Sequence, residues 1–160
     1  MIIDAKERRR FQAKVVPDGH GCLIWTGYKS PDGYGRFRAT RNGKSTAQMA
    51  HRIAFEHAFG EIPPGLQVDH TCLNRACVNP DHFRLVTNKQ NCEHRGPRRG
   101  SKSGVRGVSW SGGKWHVVVT HYGKFHSGGK FDDLAEAEQA AIELRKSLFT
   151  HNLSDRQSVA

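Results

Sequence analysis

Between Asp69 and Asn91 the chain carries two interleaved sets of polar residues that a core strand has no use for. Cys72, Cys77 and His82 have the residue types and close spacing of a structural zinc site. Asp69, His70 and Asn91 supply a carboxylate, an imidazole and an amide, the groups that hold a hard divalent ion beside a general base. Any fold this chain adopts must close that loop on itself.

Zinc in a closed structural site takes four Cys or His ligands in a tetrahedron, and the loop supplies three of them. The fourth must come from elsewhere. Cys22, isolated in a glycine-rich stretch, is the first choice. Cys92 competes, but it adjoins Asn91 on an expected helix, where neighbours point about 100° apart.

The surrounding chain reads as short elements. Cys22 to Trp25 and Tyr34 to Phe37 are expected strands between glycine turns. Gln48 to Phe59 is helical in pattern, stopped by Gly60 and by Pro63-Pro64. Leu66 to His70 and Phe83 to Val86 then form a hairpin around the polar loop. Thr87 and Gln90 form a capping box that starts a helix bearing Asn91.

Hydrolysis of a phosphodiester needs a base for water and neutralisation of the leaving oxygen. His70 suits the base, and Asp69 with Asn91 suits oxygen ligation of an ion such as Mg²⁺ or Mn²⁺. His94 follows on the same helical face as Asn91 and is expected to touch phosphate, or else to replace Asn91 as ligand.

At these residues the segment from Cys22 to His94 resembles the HNH, or His-Me finger, endonucleases, and among them the phage and intron-encoded homing branch. The resemblance implies a ββα-metal core with His70 as base on the first strand and Asn91 as metal ligand on the helix. It also implies a structural zinc held by Cys22, Cys72, Cys77 and His82. Asn79-Pro80-Asp81-His82 is of the family's type, while Asn rather than His fills the last motif position. Arg52, on the helix before the motif, is placed by analogy to neutralise the scissile phosphate.

After residue 95 the composition changes. Gly96, Pro97 and Gly100 alternate with Arg95, Arg98, Arg99 and Lys102, as in an exposed basic linker able to lie along phosphates. Val105 to Trp110, Lys114 to His121 and Lys124 to Phe131 read as three strands, followed by a helix that Asp133 and Glu136 cap and that runs to about Leu148. Its alanines form an apolar stripe for close packing on the sheet. This part resembles the plant ethylene-response-factor (APETALA-type) DNA-binding domain, in which the sheet enters the major groove. The resemblance makes Arg106, Lys114, Thr120, Lys124 and Lys130 DNA contacts. Trp115, Val117, Val119 and Phe131 are expected in the core. Trp110 is placed there too, with stacking on a sugar-phosphate backbone as its alternative.

The expected architecture is α+β: a zinc-stapled ββα-metal nuclease domain over residues 1–95, a basic linker over 96–102, and a three-stranded antiparallel sheet on one helix over 103–150. A tail over 151–160 completes it. Removing everything after Ser101 is expected to leave the first domain's chemistry intact.

A formal charge of +10 on 160 residues calls for a polyanionic partner, here double-stranded DNA. There is no long apolar run and no apolar core behind Arg8-Arg9-Arg10, so neither a membrane nor secretion is expected. An intracellular setting favours metal binding over disulfides for the four cysteines. The sequence thus reads as a metal-dependent DNA endonuclease that nicks duplex at preferred sites, acting as a monomer or weak dimer with no small-molecule substrate. A zinc-containing DNA-binding regulator with a dead nuclease core is the rival, and an RNA-directed nuclease a third reading.

Overall fold

Three aromatic rings organise the first part of the chain. In the computed structural model, which describes residues 3–41, 43–98, 100–152 and 155, Trp25 lies 4.8 Å from Phe11 and 5.8 Å from Phe37 between ring centres. Ile3, Ala39, Ala50, Ile53, Ala54 and Val78 close around them. Gly35 is fixed by this packing, since a Cβ there would stand 2.6 Å from the Trp25 ring. Truncating so buried a tryptophan to alanine costs about 3–5 kcal/mol.

By its contacts the chain divides into two units, Met1–Asn88 and Lys89–Ala160. The first begins with α1 (Ala5–Gln12), whose N-terminus is capped by the Asp4 carboxylate accepting from the Glu7 amide at 2.7 Å. Antiparallel two-stranded ribbons follow: β1 (Val15–Pro17) with β2 (Leu23–Trp25), and β3 (Arg36–Arg41) with β4 (Lys44–Met49). Helix α2 (Ala50–Phe59) ends where Gly60 takes a positive φ of 93°, and it buries Ala50, His51, Ile53, Ala54 and Phe55. The last ribbon pairs β5 (Leu66–His70) with β6 (Phe83–Thr87), setting Asp69 opposite Arg84 and His70 opposite Phe83. A smaller apolar cluster of Phe55, Ile62 and Val68 lies under it.

Helix α3 (Asn88–Glu93) follows β6 directly. The second unit takes all of α3 after Asn88, whereas the sequence places it within residues 1–95. The physical reason lies in its polar ties. Arg106 donates to the carbonyls of Cys92 and Glu93 at 2.8 and 2.5 Å. The Glu93 carboxylate accepts from the amides of Thr150 and His151 at 3.1 and 3.2 Å.

The sheet of this unit runs β7 (Val108–Ser111), β8 (Lys114–His121), β9 (Lys124–Phe131) in antiparallel order. Both hairpin turns use positive φ, at Gly112-Gly113 and at Tyr122-Gly123, the twist that suits a two-residue loop. Helix α4 (Leu134–Leu148) starts at Asp133, whose carboxylate accepts from the amides of Ala135 and Glu136 at 2.7 and 3.1 Å. Its Ala137 and Ala141 pack on Val108 and Val117. Gly128 faces the same packing, where a Cβ would meet Val117 at 2.5 Å.

Several sequence expectations change here. Strand β7 starts at Val108 rather than Val105, because Gly107 turns the chain with φ 82° while Val105 packs into the core. Trp110 is 42% exposed rather than in the core, covered by Trp115 on one side and Lys102 above. The segment after residue 150 is not a loose tail where it is described. Asn152 and Asp155 are buried, and Arg145 pairs with Asp155 at 2.6 Å.

Candidate active site and metal centre

The loop between β5 and β6 folds back through backbone bonds. The Thr71 amide donates to the His82 carbonyl at 2.9 Å, and Cys77 donates to Asn74 at 3.0 Å. Leu73 adopts φ 58°, the tight reversal that lets Cys72 and Cys77 converge. Asn79 then donates to the Gly21 carbonyl at 2.8 Å, and the Asp18 carboxylate accepts from the Cys22 amide at 3.0 Å. These bonds deliver the distant cysteine.

The ligand atoms of Cys22, Cys72, Cys77 and His82 lie within 4.8 Å of one another. The fourth position therefore falls to Cys22, not Cys92. Tetrahedral zinc with Zn–S near 2.3 Å and Zn–N near 2.0 Å requires S···N separations of about 3.5 Å. The Nδ1 of His82 stands 3.4 Å from the Cys22 sulfur and 3.6 Å from that of Cys77. The set fits zinc. Burial, reinforced by Cys77 and Cys72, pushes the Cys22 thiol up to about 12, and burial also raises Cys72. Without a cation these thiols keep their protons; a bound metal displaces them.

One bond away stands His70. Its Nε2 lies 3.0 Å from the Cys77 carbonyl oxygen, which can only accept, so Nε2 carries the proton and Nδ1 the lone pair. Phe83 packs edge-on against the ring at 5.2 Å between centres, and His51 at 4.8 Å. Burial holds the His70 pKa below the ordinary imidazole range, against the opposing pull of the Cys77 carbonyl and Asp69. The ring is thus a neutral base at pH 7.

Asp69 is buried and receives both the Nε and an NH2 group of Arg84, at 2.9 and 2.8 Å, on Oδ2. The cross-strand register of β5 and β6 makes this pair.

Asn91 sits half-buried on α3. His94, expected to touch phosphate, is only 2% exposed and so is placed in the interior.

Arg52 is exposed on α2. It is the preceding residue, His51, that faces His70. In the sequence the charge of Arg52 draws the eye to it rather than to His51. The available signal was its place among Ala50, Ile53 and Ala54 on the apolar side of the helix.

Of the expected DNA contacts, Arg95 and Arg98 are exposed, and Arg99 lies outside the described residues. Arg106 is engaged within its own unit. Its guanidinium is spent on the carbonyls of Cys92, Glu93 and Arg95 and stacks over Phe149 at 4.9 Å. Lys114, Thr120 and Lys130 are exposed on one face of the sheet; Lys114 also meets Asp132 at 2.9 Å, a surface pair of small energetic weight. Lys124 is exposed but pairs in register with His121, on the opposite face from Thr120. The same face as Thr120 presents Val118 and Phe125, the latter 81% exposed, which charge-based reasoning did not select.

Residues 48–92 match a family model described as HNH endonuclease. An uncharacterized gene 5.3 protein of Enterobacteria phage T3 is 38% identical over 69 residues, covering 41% of this chain and 68% of that protein. Residues 48–92 are thus an HNH endonuclease domain, in a chain related to phage proteins. Protein 3.8 of Escherichia phage T7 is 34% identical over 83 residues, 51% of this chain and 69% of that protein. Protein 7.7 of the same phage is 40% identical over 72 residues, and there the match spans 52% of its length. No solved structure matches. The HNH match takes in His51, the polar loop and Asn91, and ends at Cys92, so the β7–β9 sheet lies outside it. Among the described residues no helix is long and apolar enough to cross a membrane.

Proposed function

We propose that this HNH protein is a metal-dependent endonuclease that hydrolyses DNA phosphodiester bonds, of the homing type, with β5, β6 and α3 as a ββα-metal core. The observation that carries the reading is the bond from His70 Nε2 to the Cys77 carbonyl, which leaves a buried, neutral imidazole with a lone pair on Nδ1. That nitrogen takes a proton from water. The oxygen so freed bonds to phosphorus as the bond to the leaving sugar oxygen breaks.

Asp69 and Asn91 would hold a divalent ion, Mg²⁺ or Mn²⁺, which when bound neutralises charge on the phosphate and leaving oxygen. Arg84 fixes the Asp69 carboxylate through Oδ2. Arg52, exposed on the same helix as His51, is the proposed phosphate neighbour. The Cys3His cluster would hold zinc as a staple that closes the polar loop.

The sheet of β7, β8 and β9 is proposed as an APETALA-type DNA-binding surface acting through Lys114, Thr120 and Lys130, with Arg95, Arg98 and Lys124 on phosphates. It would give the nuclease preferred sites. One active site per chain nicks one strand of duplex in the intracellular space where such DNA is found. The rival, a DNA-binding regulator with an inactive core, has no use for the oriented base.

A nicking assay on supercoiled plasmid with Mg²⁺, Mn²⁺ or EDTA tests the proposal. His70→Ala should lower nicking by about 10²–10⁴-fold while duplex binding, which comes mainly from phosphate contacts, is retained. Nicking by the variant within a few-fold of wild type would remove His70 as base. Absent activity in the wild type with every metal would favour the regulator, whereas nicking that persists in EDTA would remove the divalent ion from the mechanism.

A further inference from the structure

His51 is 4% exposed on the inner side of α2. Its ring centre lies 4.8 Å from that of His70, with the planes inclined at 61°, and Tyr34 and Phe83 stand at 5.4 and 6.2 Å. Among the described residues its Nδ1 has no hydrogen-bond partner.

That is an expensive arrangement for a residue whose only task is packing. A buried polar atom left unpaired forfeits the hydrogen bond it had to water, and a phenylalanine would fill the same aromatic setting without that cost. Phe55, one turn further along α2, is buried with Ile62 and Val68 and leaves no polar atom to satisfy. Burial and the charge of a protonated His70 hold the His51 pKa at about 3, so the ring is uncharged wherever the protein works. A neutral imidazole beside a neutral imidazole can share a small polar molecule without electrostatic penalty.

We propose that His51 is a further catalytic residue, whose Nδ1 hydrogen-bonds the water that His70 deprotonates. The inference rests on the nuclease reading given above. His70 alone fixes one direction of the attacking water, through the hydrogen it accepts at Nδ1. A second hydrogen bond from the facing imidazole fixes the orientation of the oxygen lone pair that must meet phosphorus in line. The proton goes to His70; His51 gains and loses none over the cycle. The residue is set in α2 rather than in the polar loop, so the water would be held between the helix and the first strand of the hairpin.

The test uses the full chain with His51→Phe and His51→Asn. His51→Phe keeps an aromatic ring, somewhat larger than imidazole, and removes the orphaned nitrogen, so its thermal midpoint should stay near or above wild type. Its bound zinc and its duplex affinity in EDTA should be unchanged. Single-turnover nicking at saturating Mg²⁺ should fall at least ten-fold, and His51→Asn, which retains a polar group, should recover part of that loss. Retained or higher stability with a lower rate is a combination that a packing role does not produce. If His51→Phe nicks within two-fold of wild type, the proposal is overturned. Should the Phe variant fold poorly, the same threshold applied to His51→Leu, which also lacks a polar atom, decides. A wild type that fails to nick in any metal overturns the nuclease reading itself, whereas a nicking wild type with an equally active variant overturns only the role of His51.

Discussion

The Cys77 carbonyl oxygen lies 3.0 Å from His70 Nε2, while the sulfur of the same residue lies 3.6 Å from His82 Nδ1 in the Cys3His cluster. One residue therefore belongs to both the structural and the chemical part of the loop. The carbonyl sets the tautomer of His70, the proposed base, and a metal held by the sulfur would fix where that carbonyl stands.

Loss of zinc should therefore cost activity as well as stability. Replacing Cys22, Cys72 or Cys77 with Ser should release the metal and lower the thermal midpoint, since structural zinc supplies folding free energy. Cys92→Ser should retain zinc, because Cys92 is outside the cluster. Chelation of wild type followed by Mg²⁺ alone should not restore nicking; adding zinc should. Full recovery with Mg²⁺ alone would uncouple the staple from the base.

Acid sensitivity follows from the two facing histidines. Burial lowers both, His51 to about 3, whereas in the unfolded chain each titrates near about 6.5. Below that pH the unfolded state binds protons that the native state refuses. Stability is thus fully present above about pH 6.5 and drains as pH falls, by up to about 1.4 kcal/mol per pH unit for each histidine. Urea midpoints measured from pH 8 to pH 5 should fall on the acid side. His51→Phe should flatten that limb by removing the more strongly shifted group. Parallel limbs in the two proteins would show that His51 is not buried uncharged in solution.

What was legible in the sequence was local. Cys72, Cys77 and His82 lie within one loop, so their spacing alone implied convergence, and Gly60, Asp133 and the glycine turns marked element ends through backbone chemistry. Elements whose sequences are polar were missed. Helix α1 is masked by its three arginines, and β4 is almost wholly exposed, so neither shows an apolar period. Long-range polar ties were also invisible. Arg106 reads as a phosphate contact because charge is all a sequence shows, while its partners are carbonyls thirteen or fourteen positions away. The same ties bear on the expectation that the first domain's chemistry survives deletion of everything after Ser101. That deletion removes Arg106 along with Thr150 and His151, the partners of Glu93 on α3.

Arg106 gives the sharpest test of these ties. A six-residue helix does not hold itself together, and α3 leaves its last carbonyls to be satisfied from outside. Arg106→Ala should remove three bonds at once, two of them to α3 carbonyls and one to Arg95 just beyond, each to a charged donor and so worth about 1.5–3 kcal/mol. Amide exchange over residues 90–94 should accelerate, and the half-saturating Mg²⁺ concentration for nicking should rise as Asn91 loses its fixed position. Arg106→Lys should rescue only in part, because an ammonium cannot reproduce the planar fork that reaches several carbonyls. Duplex affinity and its salt dependence should stay near wild type, whereas Lys130→Ala should make the salt slope shallower by nearly one unit. A drop in duplex affinity for Arg106→Ala with unchanged exchange in α3 would return this residue to the DNA surface.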